Sequence, residues 1–319
     1  MFDVIKQDLA ALEEAMIATV QSPVAIITEI GTHLVQSGGK RLRPALYFLA
    51  ARGGVSFDRD KVMPLAVAIE MIHMASLVHD DVIDSADLRR GTATANSKWG
   101  NQLAILGGDY LFAKAFSLVA GNGYDDRITM RLSQLICDLS AGEIIQNKEI
   151  YKASRDEAEY YDRIAKKTAN FLADCCEMGG ILAGLSAIET KALYHYGQAI
   201  GMAFQITDDL LDLTAETDAI GKPAGNDILQ GIVTLPVIRA LGVSKDAEEL
   251  ERIVTCREMS EAMLVRAIEI VKATDGIDYA QAKVDSYLES ARTVLPESLP
   301  AEIREAYQMA ADFIRLRKY

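Results

Sequence analysis

The chain of 319 residues is short of proline, aromatic residues and positive charge. Seven prolines and 7% Phe, Trp and Tyr, with a single Trp, disfavour an all-β fold and favour helix. The 33 Lys and Arg are outnumbered by 46 Asp and Glu, for a net charge of −13. Nucleic acid is thereby excluded as a partner, because attraction to its phosphates needs clustered cations. Cysteine is scarce too. Cys137, Cys175, Cys176 and Cys256 form no CxxC pair, which argues against a metal–thiolate site and a disulfide-stapled scaffold. No run of 18 apolar residues occurs, so no transmembrane segment is expected. Asp3, Asp8, Glu13 and Glu14 interrupt the first 20 residues, where a signal peptide would have a basic start and an unbroken apolar core. A cytoplasmic protein is expected. Disorder is excluded, since half the residues are hydrophobic.

What is present is a series of long apolar-periodic segments separated by short Gly-rich breaks. Ser22-Pro23 reads as the N-cap and first position of a helix that Gly38-Gly39 closes. Helices are expected over 42–52 and 60–84, the second about 37 Å long at 1.5 Å per residue. Others are expected at 101–120, 126–149, 156–184, 189–213, 229–242, 246–254, 259–273, 276–293 and 300–317. Strand signals are almost absent. The reading is an all-α chain, with residues 1–319 forming a single domain.

Two of the most apolar helices end in acid. His79-Asp80-Asp81-Val82-Ile83-Asp84 closes one, and Asp208-Asp209-Leu210-Leu211-Asp212 closes another with the same spacing. Carboxylates at i and i+4 share a helix face. They repel each other, and the negative end of the helix dipole disfavours them as well. Two such clusters call for a cation. Carboxylates without His or thiolate partners suit a hard ion, and Mg²⁺ fits best because it bridges a few carboxylates to phosphate oxygens. His73 lies two turns below Asp80 on the same face, and Gln205 lies one turn below Asp208 and Asp209.

The few cations are gathered. Gly38-Gly39-Lys40-Arg41-Leu42-Arg43-Pro44 places three in a loop and helix start, Arg89-Arg90-Gly91 follows the first acid cluster, and Gly221-Lys222-Pro223 follows the second. Lys166-Lys167-Thr168 lies on a helix. Basic loops beside metal-binding carboxylates suit a diphosphate, with Arg giving bidentate contacts and Lys a point charge.

The motifs GGKRLRP (38–44), HDDVIDSADLRRG (79–91), KKTA (166–169), GMAFQITDDLLD (201–212) and GKP (221–223) resemble those of trans-isoprenyl diphosphate synthases, most closely the long-chain polyprenyl type. The resemblance implies an all-α bundle around a deep central cavity, working as a homodimer or with a small regulatory subunit. It implies that Asp80, Asp81 and Asp84, with Asp208, Asp209 and Asp212, hold about three Mg²⁺ ions on the diphosphate of an allylic substrate. Lys40, Arg43, His73 and Arg90 are then expected to bind isopentenyl diphosphate. Arg89, Lys167 and Lys222 are expected on the allylic diphosphate, and Thr168 and Gln205 beside the reacting carbon. Ile232 stands where many members have Lys.

Ala75 and Ser76, five and four residues before Asp80, are the expected determinants of chain length. Short-chain relatives carry bulky aromatics there, so small residues imply an open tunnel and a hexa- to octaprenyl product. A short-chain farnesyl or geranylgeranyl diphosphate synthase is the alternative within the family. From another class, a His-Asp metal phosphohydrolase would use His33, His73 and His79 as metal ligands. Terpene cyclases share one acid motif but would not need GGKRLRP, and a non-catalytic bundle would not need both acid clusters.

Overall fold

The computed structural model describes residues 2–214 and 224–316. Among them the chain is helical almost throughout. The helices are α1 (Lys6–Thr19), α2 (Ala25–Gln36), α3 (Leu42–Ala51), α4 (Arg59–Ile83), α5 (Ala95–Trp99), α6 (Asn101–Gly121), α7 (Asp126–Glu149), α8 (Glu157–Ile164), α9 (Asn170–Leu182) and α10 (Ala187–Thr214). After residue 223 come α11 (Asn226–Leu229), α12 (Leu235–Val243), α13 (Ala247–Val254), α14 (Glu261–Lys272), α15 (Gly276–Val294) and α16 (Ala301–Leu316). The one sheet is a two-residue antiparallel ladder, β1 (Leu88–Arg89) against β2 (Thr92–Ala93). The residues group into two compact units.

Among the described residues, the first unit takes in 2–136, 174–193 and 296–307. Its core helix is α4, packed against α1, α3 and α6. From Leu65 to Ile72 every α4 residue is buried, as expected for a helix apolar on all sides. The Asp58 carboxylate caps its start by accepting from the Asp60 N–H at 3.1 Å. Fully buried Asp8 of α1 accepts from Arg52 Nε at 2.7 Å and Arg59 Nη2 at 2.8 Å, which ties α1 to both ends of the segment joining α3 to α4.

Among the described residues, the second unit takes in 137–173, 194–214, 224–295 and 308–316. Here α8 and α9 are joined by one turn of π-helix, Ala165–Ala169. The KKTA motif lies in this turn, so the expected helix over 156–184 is interrupted where its functional residues lie. Such turns shift side chains out of α-helical register and often mark functional sites. Gly201 of α10 makes room for it, because a Cβ there would lie 2.4 Å from Ala169 Cα.

Two expected helix starts need correction. Ser22-Pro23 does not open α2. The Ser22 hydroxyl accepts from Val24 N–H at 3.2 Å in a preceding turn, and the helix begins at Ala25. The helix expected over 229–242 begins at Leu235. Gly231 is left-handed at φ 75°, and Thr234 is extended before Pro236, which enters in the first turn. By length and composition, α4 and α6 could each cross a membrane. Of their apolar windows, 67% and 33% are buried within the fold.

Gly201→Ala should therefore lower unfolding free energy by about 1–3 kcal/mol, as overpacking against backbone does. Gly242→Ala, with nothing within 4 Å of the added Cβ, should be neutral or stabilise by up to about 1 kcal/mol. Urea unfolding of both variants checks the contrast.

Candidate active site

In the first unit the acid cluster sits at the C-terminal end of α4. Asp81 is 4% exposed and accepts from Arg89 Nε at 2.7 Å. Asp80 is half-buried and Asp84 is exposed at the C-cap. The cation next to the cluster in sequence thus compensates its most buried carboxylate.

The GGKRLRP loop lies in the same unit. Gly38 and Arg41 are left-handed, at φ 70° and 47°. Arg90 Nη1 donates to Gly38 O at 2.5 Å. Gly39 accommodates that guanidinium, since a Cβ there would lie 2.7 Å from Arg90 Nη1. Arg43 Nη1 lies 3.1 Å from His73 Nε2. Arginine can only donate, so this nitrogen accepts and the imidazole carries its proton on Nδ1. Burial, followed by Arg43, Arg90, Arg89 and Arg41, holds the His73 pKa well below the usual value. His73 is therefore neutral among four guanidiniums. Lys40 is exposed, whereas Arg41 turns inward to Glu13 and Glu70. Ala75 is fully buried, and the half-buried Ser76 hydroxyl donates to His73 O at 2.9 Å.

In the second unit Asp209 is 6% exposed. Tyr160 Oη donates to its Oδ2 at 2.6 Å and Gln205 Nε2 to its Oδ1 at 3.0 Å. The Thr168 hydroxyl donates to Gln205 Oε1 at 2.8 Å. Burial raises the Asp209 pKa, while the Tyr160 and Gln205 bonds, Arg163 and Lys167 oppose the rise. Asp212 accepts at Oδ1 and Oδ2 from the N–H groups of Asn226 and Asp227, both at 3.1 Å. Asp227 is pushed well above the carboxylate range by burial and then by Asp212 and Asp209. Lys167 Nζ pairs with Glu143 at 2.8 Å and lies 3.1 Å from Gln146 Oε1. Lys222 lies outside the described residues.

The two clusters are built alike. The second aspartate of each is buried and fixed by protein donors, and the first is half-buried. Among the described residues, no group of three or more His, Cys, Asp or Glu side chains is gathered to hold a metal. That donor set fits an ion such as Mg²⁺, which takes one or two carboxylates and completes its shell with water and substrate phosphate oxygens. The imidazoles are engaged elsewhere. His33 Nε2 lies 2.8 Å from Ala93 O, and His79 Nε2 lies 3.1 Å from Ile105 O with its ring against Phe112.

The polyprenyl synthetase family model matches residues 24–271. The chain belongs to the polyprenyl synthetase family. It is 42% identical over 320 residues to heptaprenyl diphosphate synthase component 2 of Geobacillus stearothermophilus, covering all of this chain and 98% of that protein. It is 33% identical to the octaprenyl diphosphate synthase of Escherichia coli, covering 92% of this chain and 91% of that one. A Caulobacter crescentus polyprenyl synthase solved with calcium and isoprenyl diphosphate matches with a TM-score of 0.91 at 35% identity, covering 99% of this chain and 96% of that chain. This polyprenyl synthase is thus a prenyltransferase, and its all-α fold is that of isoprenyl diphosphate synthases.

Four residues beside the candidate site residues carry no role in the sequence reading. Tyr160, Arg163 and Lys167 recur at i, i+3 and i+7, the spacing of one helix face, and that pattern could have found the first two. Asp227 stands alone, with no pattern to single it out. Arg41 was counted with the loop cations.

The half-buried, neutral His73 sets a pH dependence. Its folded pKa lies below the unfolded value near 6.5, so the unfolded state binds more protons and stability falls as pH drops through about 6.5, approaching about 1.4 kcal/mol per pH unit from this group. Urea unfolding between about pH 7.5 and pH 5.5 should show a flatter dependence for His73→Gln than for the parent chain.

Proposed function

We propose that this synthase condenses isopentenyl diphosphate head-to-tail with farnesyl or geranylgeranyl diphosphate. The product is an all-trans polyprenyl diphosphate of hexa- to octaprenyl length, of the kind that supplies quinone side chains. The observation that carries this reading is the repeated acid cluster, with its second aspartate buried on fixed donors and its first half-buried at the helix end. The span of the family model runs through both units, which supports one synthase domain over the whole chain.

Asp80, Asp81, Asp84, Asp208, Asp209 and Asp212 hold Mg²⁺ on the allylic diphosphate. Bound Mg²⁺ neutralises the diphosphate and makes it a good leaving group. Arg89, Lys167 and Lys222 grip the same diphosphate. Lys40, Arg43, His73 and Arg90 hold isopentenyl diphosphate, and neutral His73 can donate through Nδ1–H without adding charge. The allylic C–O bond breaks, the alkene of isopentenyl diphosphate forms the new C–C bond, and a proton leaves to the released diphosphate. The oxygens of Thr168 and Gln205 stabilise the allylic cation by their dipoles. Apolar surroundings exclude the water that would trap it. Relatives named component 2 support a small partner subunit. Exposed Leu103, Ile105 and Leu106 on α6 support an association surface, such as that of a homodimer. The buried majority of the α4 apolar window supports a soluble, cytoplasmic enzyme.

The test is to incubate the purified chain with farnesyl diphosphate, isopentenyl diphosphate and Mg²⁺ and to size the products. Products longer than geranylgeranyl are expected, and Ala75→Phe should shorten them. Products that stop at farnesyl or geranylgeranyl length, or a distribution unchanged in Ala75→Phe, contradict the length assignment. Phosphate release from nucleotides without elongation favours the phosphohydrolase.

A further inference from the structure

We infer that Arg41 is a positioning residue, whose ion pairs with half-buried Glu13 and buried Glu70 fix the loop that presents Lys40 and Arg43 to isopentenyl diphosphate. The inference rests on the reading above.

Arg41 is the middle cation of the loop, yet only 9% exposed. Its Nε donates to Glu13 Oε1 at 2.6 Å, and its Nη2 donates to Glu13 Oε2 at 3.1 Å and to Val35 O at 2.9 Å. Its Nη1 donates to Glu70 Oε1 at 2.8 Å. The guanidinium is therefore clamped by α1, by α4 and by the last turn of α2. Its backbone sits at φ 47° and ψ 34°, a left-handed conformation that the presence of a Cβ disfavours and surrounding contacts must hold. The same residue starts α3, since Ala45 N–H donates to Arg41 O at 2.9 Å.

These contacts set the direction of both neighbours. Lys40 comes immediately before the left-handed residue, and Arg43 comes two residues after it, in the first turn of α3. On α4, Glu70 and His73 are one turn apart on one face. Glu70 takes Arg41 and His73 takes Arg43, so the loop is held on α4 at two adjacent points. If Arg41 left its carboxylates, the backbone would relax toward ordinary helical or extended angles and separate Lys40 from Arg43. Glu13 lies before residue 24, where the family match begins. The N-terminal helix thus takes part in a substrate site whose motif lies elsewhere.

A purely structural ion cluster would affect folding and the amount of active protein, and would leave substrate preference alone. The test uses the full chain with Arg41→Lys, Glu13→Gln and, as a control, exposed Glu14→Gln. Melting temperature, kcat, KM for each substrate and calorimetric affinity for isopentenyl diphosphate are measured. Lysine cannot serve two carboxylates in fork geometry, so Arg41→Lys should raise KM and Kd for isopentenyl diphosphate roughly tenfold, with kcat and allylic KM within about twofold. Glu13→Gln should move the same constants in the same direction by a smaller factor, and Glu14→Gln should move none. If Arg41→Lys does not fold, Glu13→Gln decides, because Glu13 is 45% exposed and Arg41 keeps Glu70. Folded variants with unchanged affinity for isopentenyl diphosphate, or with kcat and both KM values lowered in effect together, overturn this inference alone. A parent chain that neither binds nor elongates isopentenyl diphosphate overturns it together with the functional reading.

Discussion

Three carboxylates at the C-terminal end of each of two apolar helices repel one another and the dipole of their own helix, and the residues around each cluster answer that repulsion. In each cluster the protein buries the second aspartate and gives it donors of its own. Asp81 has the Arg89 guanidinium, whereas Asp209 has the neutral Tyr160 hydroxyl and Gln205 amide. The Asp212 carboxylate takes up the first N–H groups of α11.

The cations are sorted by the same logic. Arg41 turns inward on Glu13 and Glu70, while Lys40 next to it is exposed. His73 stays neutral amid Arg43, Arg90, Arg89 and Arg41, since a further positive charge there would be both desolvated and repelled. A net charge of −13 conceals this arrangement. The first hundred residues hold 10 Lys and Arg against 12 Asp and Glu, so the stretch bearing the GGKRLRP and RRG motifs is close to neutral.

The helices were legible because apolar period and Gly breaks act locally, and the acid clusters because their spacing repeats twice in one chain. The link from Gln205 to Asp209 followed from helix geometry and is present at 3.0 Å. Misread elements had tertiary causes. Ser22 and Pro23 carry cap residue types but serve a preceding turn, and 229–234 carries helix-compatible residues that Gly231 and extended Thr234 hold out of the helix. The π turn at Ala165–Ala169 depends on the backbone of Gly201, 32 residues or more away in sequence. Glu13, Glu70 and Asp227 acquire their roles only from partners that folding brings to them, which no spacing rule encodes. Ile232 follows the left-handed Gly231, and its backbone N–H donates to Asp227 O at 2.8 Å, which helps to frame α11.

The central claim is that substrate completes the metal site. Calorimetric titration of the chain with Mg²⁺, with and without a non-reactive analogue of the allylic diphosphate, tests it directly. The account predicts weak binding to the chain alone and an affinity about tenfold or more higher with the analogue present, matched by the reciprocal gain in analogue affinity. Equally tight Mg²⁺ binding with and without the diphosphate would contradict it.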